Sequence, residues 1–228
     1  DSIGDQVLDK PLYELGVTGV FTKSLDIALI NGDIDIAVHS LKDVPTKLPE
    51  GVIQAAVLKR GNYNDVLILK KDENFFENEI ATIATGSLRR KAQWLHRYPK
   101  HDIIGLRGNV NTRLQKLKDS PWDGAIFALA GLSRIKLLPN KDKHIKLDWM
   151  VPAPAQGAIM IAALKKNNNA VDACKELNDE ETAVCVAIER EFLRVLEGGC
   201  TAPIGALATI KEEEVRFKGV LCSPDGKK

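Results

Sequence analysis

The stretch IATIATGSLRRKAQWLHRYPKHDIIGLRGNVNTRLQKLKDSPWDGAIFAL (residues 80–129) decides the fold, because short apolar runs alternate in it with segments of helical period. Strands are predicted at 80–84, 102–106 and 124–129, with helices at 87–97 and 110–118 between them. This βαβαβ order is typical of an α/β protein, and we expect its strands to be largely parallel.

The alternation continues on both sides of this block. Before it, the sequence predicts a helix at 24–31 ending at Gly32, a strand at 34–38, and two strands at 52–59 and 65–69. The break at Gly61-Asn62 between those two strands is a candidate hinge. After the block, a proline-rich crossover at 151–154 leads to a strand at 158–164, a helix at 182–196 and a strand pair at 204–210 and 215–221.

The composition narrows the classes of function. A net charge of +1 over 228 residues argues against a general attraction to nucleic acid or to a membrane surface. No uninterrupted apolar run approaches the roughly 18 residues of a membrane span. The four cysteines show neither a CxxC pair nor a histidine spacing typical of zinc. We therefore expect no metal and a reducing, cytoplasmic environment.

Arginines recur where the predicted strands end. Five of the ten arginines lie in the loops after strands or in the first helical turns that follow: Arg89, Arg90, Arg107, Arg113 and Arg134. Cations at a helix N-terminus oppose the helix dipole by roughly 0.3–1 kcal/mol each, so stability alone does not explain these positions. Arginine suits bidentate binding of carboxylate or phosphate. Because the common phosphate motifs are missing, the pattern favours a polycarboxylate ligand over a nucleotide.

Other candidate residues lie in the same strand-end loops. Asp43, beside Lys42, is either a turn aspartate before a proline or a carboxylate that stabilises a cation and exchanges protons. Ser87 is first a helix cap and second an anion ligand. Gln156 is interpreted as a crossover or cleft-lining residue, and His39 as a packing residue at a strand end.

One cysteine stands apart from the other three. Cys200 follows the glycine pair Gly198-Gly199, which ends the helix at 182–196, and it precedes Pro203, which prevents the helix from resuming. A thiol on such a turn-rich loop is either structural or reachable by a small molecule. Cys185, by contrast, falls on the apolar face of the helix and is expected in the core.

Six separated motifs carry a resemblance to a known family: VHSLKDVP (38–45), GSLRR (86–90), LRGNVNTR (106–113), AGLSR (130–134), AQGA (155–158) and LEGGC (196–200). In this order, and over essentially the whole chain, they resemble the hydroxymethylbilane synthase (porphobilinogen deaminase) family. The resemblance implies two α/β domains of the periplasmic-binding-protein type and a small α+β C-terminal domain. The corresponding ranges are 1–59 with 158–176, then 64–152, then 180–228.

The resemblance also implies a reaction and roles for individual residues. The family joins four porphobilinogen molecules head to tail, with loss of ammonia, into a linear tetrapyrrole for porphyrin and haem biosynthesis. By resemblance, Cys200 holds a dipyrromethane cofactor through a thioether, and Asp43 contacts pyrrole nitrogens and stabilises the cation left by ammonia. Cofactor binding is implied for Lys23, Ser40, Lys42, Ser87, Arg89, Arg90, Arg107, Arg113 and Arg134. Substrate binding is implied for Arg107, Arg113, Arg134 and Gln156.

Two departures from the family pattern affect the expected activity. Thr18 stands where the family commonly has a lysine, and the family's opening strand and helix have no counterpart in the sequence. The third domain is also shorter than the family pattern. We therefore expect a weakly active or inactive monomer. The alternatives are a non-catalytic module that binds an anionic ligand, for which Cys200 would have no use, and a folded piece that binds nothing.

Overall fold

The computed structural model describes residues 22–70, 80–196 and 203–228, which form three sheets with helices packed against them. The described strands are β1 (Ile36–Ser40), β2 (Val52–Val57), β3 (Asp65–Leu69), β4 (Thr82–Ala84), β5 (Asp102–Ile104), β6 (Gly124–Ala128), β7 (His144–Lys146), β8 (Ile159–Leu164), β9 (Ile204–Lys211) and β10 (Glu214–Leu221). The described helices are α1 (Lys23–Asn31), α2 (Leu88–Arg97), α3 (Val110–Asp119), α4 (Leu129–Arg134), α5 (Asn168–Lys175) and α6 (Glu180–Val195). The predicted α/β class is confirmed.

The first sheet has the order β1-β8-β2, and both pairings are antiparallel. Its core joins Leu29 of α1 and Val57 of β2 to Met160 of β8 and Val186 of α6. As predicted, α1 ends at Gly32, whose φ of 80° is the left-handed conformation that glycine adopts at little cost.

The second sheet has the order β5-β4-β6-β3-β7 and contains the predicted βαβαβ block. Strand β4 pairs in parallel with β5 and β6, whereas β3 runs antiparallel to β6 and β7. The prediction of largely parallel strands is therefore wrong outside that block. Strands β3 and β8, which lie beside the connections between the two sheets, run against their neighbours. A buried apolar run has the same pattern in either direction, so the sequence does not reveal the direction of β3 and β8 relative to their neighbours.

The third sheet is the β9–β10 hairpin, which packs against α6. Phe192 of α6 meets Phe217 of β10 edge to face, with ring centroids 5.2 Å apart. The two residues of the turn, Glu212 and Glu213, both have positive φ, as a tight two-residue hairpin turn requires.

Side-chain caps begin several helices. Ser87 Oγ accepts a hydrogen bond from the Arg90 amide at 3.4 Å, and Asp179 accepts one from the Thr182 amide at 2.9 Å. The predicted capping role of Ser87 is confirmed. Cys185 and His39 are buried, in agreement with the packing roles expected for them. No helix among the described residues is both long and apolar enough to cross a membrane.

Candidate ligand-binding cleft

A small cleft lies between the first and second sheets, where β1 and β6 end. Ser40 and Lys42 line it from the end of β1, and Arg134 lines it from α4, which follows β6. Gln156 and Gly157 complete it from the crossover that leads into β8. Ligands of open α/β sheets bind beyond the carboxyl ends of strands, so the cleft lies where that rule places a site.

The two connections between the sheets meet at the back of this cleft. The Gly61 amide donates to the Gly157 carbonyl at 3.1 Å, and Arg134 Nη2 donates to the same oxygen at 2.6 Å. Gly157 has a φ of 88°, and a Cβ there would lie 2.9 Å from the Gly61 carbonyl oxygen. Only glycine therefore allows the two chain segments to approach this closely.

Behind the cleft, one fully buried carboxylate binds two of the predicted arginines. Asp65, the first residue of β3, has an exposed fraction of 0%. Its Oδ2 lies 2.8 Å from Arg89 Nη2, and its Oδ1 lies 2.8 Å from Arg90 Nη2 and accepts from Arg90 Nε at 2.9 Å. Gln156 Nε2 donates to the same Oδ1 at 2.9 Å. One negative charge therefore faces two positive ones, and the cluster keeps a net positive charge.

The pKa of Asp65 is set by opposing effects. Burial alone would raise it, but the charges of Arg89 and Arg90, with the hydrogen bonds from Gln156 and Arg90, outweigh burial and lower the pKa to about 2. Because the pKa is lowered only in the folded state, the cluster makes the free energy of unfolding depend on pH in the acid range.

We expect the free energy of unfolding to fall by about 2 kcal/mol through this cluster as the pH drops from 4 towards 2. The folded-state pKa lies below the ordinary value of 3.8, so this stabilisation is present above that pH and is lost as Asp65 is protonated. Urea unfolding at several pH values measures it. In the Asp65→Asn variant, which is less stable at every pH, this step should be missing. Parallel losses in the two proteins would contradict the assignment.

The turn that carries Asp43 is held in place from α6. Lys42 and Asp43 belong to a single 3₁₀ turn, Leu41–Asp43, directly after β1. Arg190 Nη1 donates to the Val44 carbonyl at 2.9 Å, and Arg190 Nη2 donates to the Pro45 carbonyl at 2.6 Å. The turn is therefore held by side-chain bonds from a helix that lies far along the chain.

Lys42 lies in a basic environment. Burial lowers the pKa of its ammonium, and the charges of Arg90 and Arg89 lower it further, while Asp43 and Asp65 oppose the shift. An ammonium with a lowered pKa releases its proton more readily than an exposed lysine. The surrounding positive charge makes Lys42 suited to binding an anionic group.

Arg107 and Arg113 do not line the cleft. Arg107 precedes α3 and Arg113 lies in its first turn, where Arg113 Nε donates to the Gly108 carbonyl at 2.5 Å. Arg134 was expected in a strand-end loop or the first turn after it. It is instead the last residue of the six-residue helix α4, where the helix dipole favours a cation. Lys23 is the first residue of α1 and is exposed.

The two remaining features of the predicted site are Cys200 and the expected absence of a metal. Cys200 lies outside the described residues. Within the described ranges, no group of three or more His, Cys, Asp or Glu side chains is arranged to hold a metal ion.

The sequence does not predict the two buried carboxylates that hold the residues around the cleft. The sequence predicts only that Asp65 begins a strand and that Glu189, whose exposed fraction is 0%, belongs to a helix. A charged residue at the edge of an apolar run, as in Asp65-Val66-Leu67, was a signal for a buried ion pair. Nothing in the sequence indicated its partners.

The fold and the cleft define the class: an α/β protein whose first two sheets flank a basic cleft at their strand ends. Comparison with known families agrees with this class. Residues 1–172 match the family model described as porphobilinogen deaminase, dipyromethane cofactor binding domain. Residues 183–228 match that of the porphobilinogen deaminase C-terminal domain.

Curated relatives give the same result. The chain is 44% identical to the chloroplastic porphobilinogen deaminase of Oryza sativa subsp. japonica, over 98% of this chain and 63% of that protein. It is 41% identical to the porphobilinogen deaminase of Pelotomaculum thermopropionicum, over 99% of this chain and 73% of that protein. The chain belongs to the porphobilinogen deaminase family, a family of transferases that make the linear tetrapyrrole of porphyrin and haem biosynthesis. The predicted family is confirmed, and the chain spans 63% of the length of the Oryza sativa relative.

Solved structures with a related layout include periplasmic domains. The methionine binding protein MetQ is 17% identical over 76% of this chain and 79% of that chain, with a TM-score of 0.45. The VFT2 domain of Bordetella pertussis BvgS is 13% identical over 73% of this chain and 72% of that chain, with a TM-score of 0.40. The α/β class therefore rests on the sheets themselves and on family membership.

The matched cofactor domain implies a dipyrromethane group, and the residues of the cleft fit such a group. Lys42 and Arg134 are cations suited to its carboxylates, and the Asp65 cluster keeps one uncompensated guanidinium charge behind them.

Proposed function

We propose that this chain binds porphobilinogen in the cleft between the first two sheets and catalyses its head-to-tail condensation with loss of ammonia. The observation that carries the proposal is that cations from both sheets converge on one cleft near Asp43. Lys42 comes from the end of β1, and Arg134 from the helix after β6. A substrate with two carboxylates needs such a basic cleft within a protein whose net charge is only +1.

In this proposal, the basic side chains bind the carboxylates of the substrate and of the cofactor. Arg107, Arg113 and Arg134, with Gln156, bind the substrate. The cofactor is bound by Lys23, Ser40, Lys42, Ser87, Arg89, Arg90 and the same three arginines. Guanidinium groups suit this task because their planar donors match a carboxylate. Their charge also holds an anionic chain that grows with each condensation.

Asp43 is proposed as the catalytic carboxylate. When the C–N bond of porphobilinogen breaks, ammonia leaves with the bonding electron pair and the pyrrole carries a positive charge. A carboxylate close to the ring nitrogens stabilises that charge and accepts a proton when the ring returns to neutrality. Arg190 donates to the backbone carbonyls of Val44 and Pro45, so the backbone of the turn that carries Asp43 is held before the substrate binds.

Cys200 is proposed to hold the dipyrromethane through a thioether. When bound, this group supplies a tethered pyrrole end to which the first substrate is joined. Tethering keeps the reacting end at a high effective concentration. We further propose a cytoplasmic monomer. We also propose that it binds neither nucleic acid nor membrane, which the near-zero net charge supports.

The intact mass of the purified chain tests this function. We expect extra mass equal to two linked pyrroles on the wild-type chain and none on the Cys200→Ala variant. Cys222→Ala is the matched control, because Cys222 is a half-buried cysteine for which no thioether is proposed, and it should keep the extra mass. An unmodified wild-type chain that still binds porphobilinogen would favour the non-catalytic binding module instead.

A further inference from the structure

A buried histidine is bonded to the C-terminal end of α2. His101, which follows this helix, has an exposed fraction of 6%, and Trp94 of α2 is fully buried beside it. The indole Nε1 of Trp94 donates a hydrogen bond to His101 Nδ1 at 3.3 Å. The amide of His101 donates to the Tyr98 carbonyl at 3.2 Å. Both the ring and the backbone of His101 are therefore attached to the end of the helix.

The bond from Trp94 defines the protonation state of His101. An indole N–H is a donor only, so His101 Nδ1 is an acceptor without a proton, and the neutral ring carries its proton on Nε2. A second proton would bind at Nδ1 and would place two N–H groups against each other. Protonation of His101 therefore breaks this hydrogen bond and leaves a buried indole N–H opposite a donor.

Aromatic rings enclose the same imidazole. The Tyr98 ring stacks on the His101 ring, with centroids 5.0 Å apart and an interplanar angle of 14°. Trp149, which precedes the crossover, packs with its centroid 5.9 Å from that of Trp94. Arg97 Cζ lies 5.0 Å from the centroid of Trp149 and 5.6 Å from that of Tyr98. The cluster joins α2 to the chain segment that leads into the crossover, and its rings exclude water from the histidine.

The surroundings of His101 act on its charge in opposite directions. Burial lowers the pKa of the ring below its ordinary value of 6.5, whereas the negative charges of Asp123 and Asp102 oppose this shift. The guanidinium of the cluster lies over the aromatic rings, and Lys100, next in the chain, is exposed. The neutral ring therefore has the Trp94 donor as its partner, and two carboxylates favour the charged ring.

We propose that His101 is a pH-sensitive switch: the neutral ring holds the end of α2 in the aromatic cluster, and the protonated ring releases Trp94 and turns towards Asp102 and Asp123. The inference goes beyond the proposed function, because it concerns the attachment of a helix and requires no ligand. The same helix carries Arg89 in its first turn. The switch therefore acts on an element that contributes to the cluster behind the cleft.

The sign of the pH dependence follows from the lowered pKa of His101. The contact stabilises the folded chain fully above pH 6.5 and is lost as the pH falls below that value, because the folded state takes up the proton less readily than the unfolded state. Over this range we expect the equilibrium constant of unfolding to rise by about tenfold for each pH unit. This range is separate from that of Asp65, which begins near pH 4.

An NMR titration of the purified chain from about pH 8 to about pH 5 tests the switch directly. The Cε1–H resonance of His101 should titrate with a midpoint below 6.5, and the Nε1–H resonance of Trp94 should shift with the same midpoint. Protection of the α2 amides from hydrogen exchange should decrease over the same range. A midpoint at or above 6.5, or a Trp94 resonance that does not respond, would overturn the proposal.

Two variants assign the effect to the bond between the rings. Trp94→Phe removes the donor but keeps an aromatic ring, so the midpoint of His101 should rise, and an unchanged midpoint would contradict the proposed partner. His101→Asn places an amide near the position of Nδ1 and does not titrate. In urea unfolding at several pH values, this variant should lose the pH-dependent step that the wild-type chain shows below pH 6.5.

A second histidine provides the matched control. His144 Nδ1 faces the carbonyl oxygens of Pro139 and Asn140, each at 3.0 Å, so this nitrogen donates and a protonated ring keeps both contacts. His144→Asn should therefore retain the step. Equal steps in His101→Asn and His144→Asn would refute the switch. If His101→Asn does not fold, the wild-type titration and the Trp94→Phe variant decide the question.

Discussion

The Glu189→Ala variant is expected to lose about 3–5 kcal/mol of folding free energy, because it removes one partner of a buried ion pair. Glu189 Oε1 and Oε2 accept bidentate hydrogen bonds from Arg60 Nη1 at 2.6 Å and Nη2 at 3.0 Å. They also accept from the backbone amides of Ala155 at 2.6 Å and Ala208 at 2.7 Å. The variant leaves a buried guanidinium and two buried amides without their acceptor.

The position of Glu189 explains why this loss affects the whole molecule. Arg60 follows β2 of the first sheet, Ala155 lies in the crossover beside the cleft, and Ala208 lies in β9 of the third sheet. One side chain on α6 therefore ties three parts of the chain together. We expect the same variant to weaken ligand binding, since the crossover carries Gln156.

Urea unfolding measures the effect, and a control is available on the same helix. Glu191 pairs with Arg194 on the exposed face of α6, so Glu191→Ala should change the free energy of unfolding very little. Glu189→Gln should retain part of the stability, because the amide oxygen still accepts from one side. If Glu189→Ala were as stable as Glu191→Ala, the buried network would not be a source of stability.

The Asp43→Asn variant should lower kcat by about 10²- to 10⁴-fold, the usual contribution of a positioned acid–base group. Asparagine has nearly the same shape as aspartate, but it neither stabilises a developing positive charge to the same extent nor accepts a proton. Because the carboxylate is proposed to act on the reacting ring rather than on the carboxylates of the substrate, KM should change much less than kcat.

Steady-state rates of porphobilinogen consumption by the wild-type chain and by its Asp43→Asn variant test this prediction. Asp33→Asn is the control, because Asp33 is exposed beyond the end of α1 and does not line the cleft. It should leave kcat unchanged. A large rise in KM with unchanged kcat in Asp43→Asn would assign the residue to binding instead of catalysis. The expected weak activity of the chain stays a prediction until the same assay measures it.

The sequence predicted the elements well because their signals are local. The strand predicted at 65–69 has those bounds in the structure, and the helix predicted at 87–97 begins one residue later, after its Ser87 cap. Hydrophobic period, capping residues and glycine stops act over a few residues and are read directly from the chain. The ordered motifs also led to the family, which the comparisons confirm.

Local sequence patterns do not predict the direction of a strand in its sheet or the partners of a buried polar side chain. The sequence could not show that β8 lies between β1 and β2 and runs against both, because a buried apolar strand looks the same in either direction. It singled out Arg89 and Arg90 as ligand groups, and the structure adds that both face Asp65. The domain boundaries and the roles of the site residues stay predictions.

The sequence by itself therefore determined the family, the α/β class and the order of the elements, since each depends on patterns within short stretches. Only the tertiary structure decided that Asp65 binds two arginines, that Arg60 meets Glu189 from 129 residues away, and that Gln156 Nε2 donates to Asp65. These are long-range contacts between buried polar groups. A buried polar group finds its partner when distant segments pack together and exclude water. No local pattern in the sequence indicates which segments will pack together.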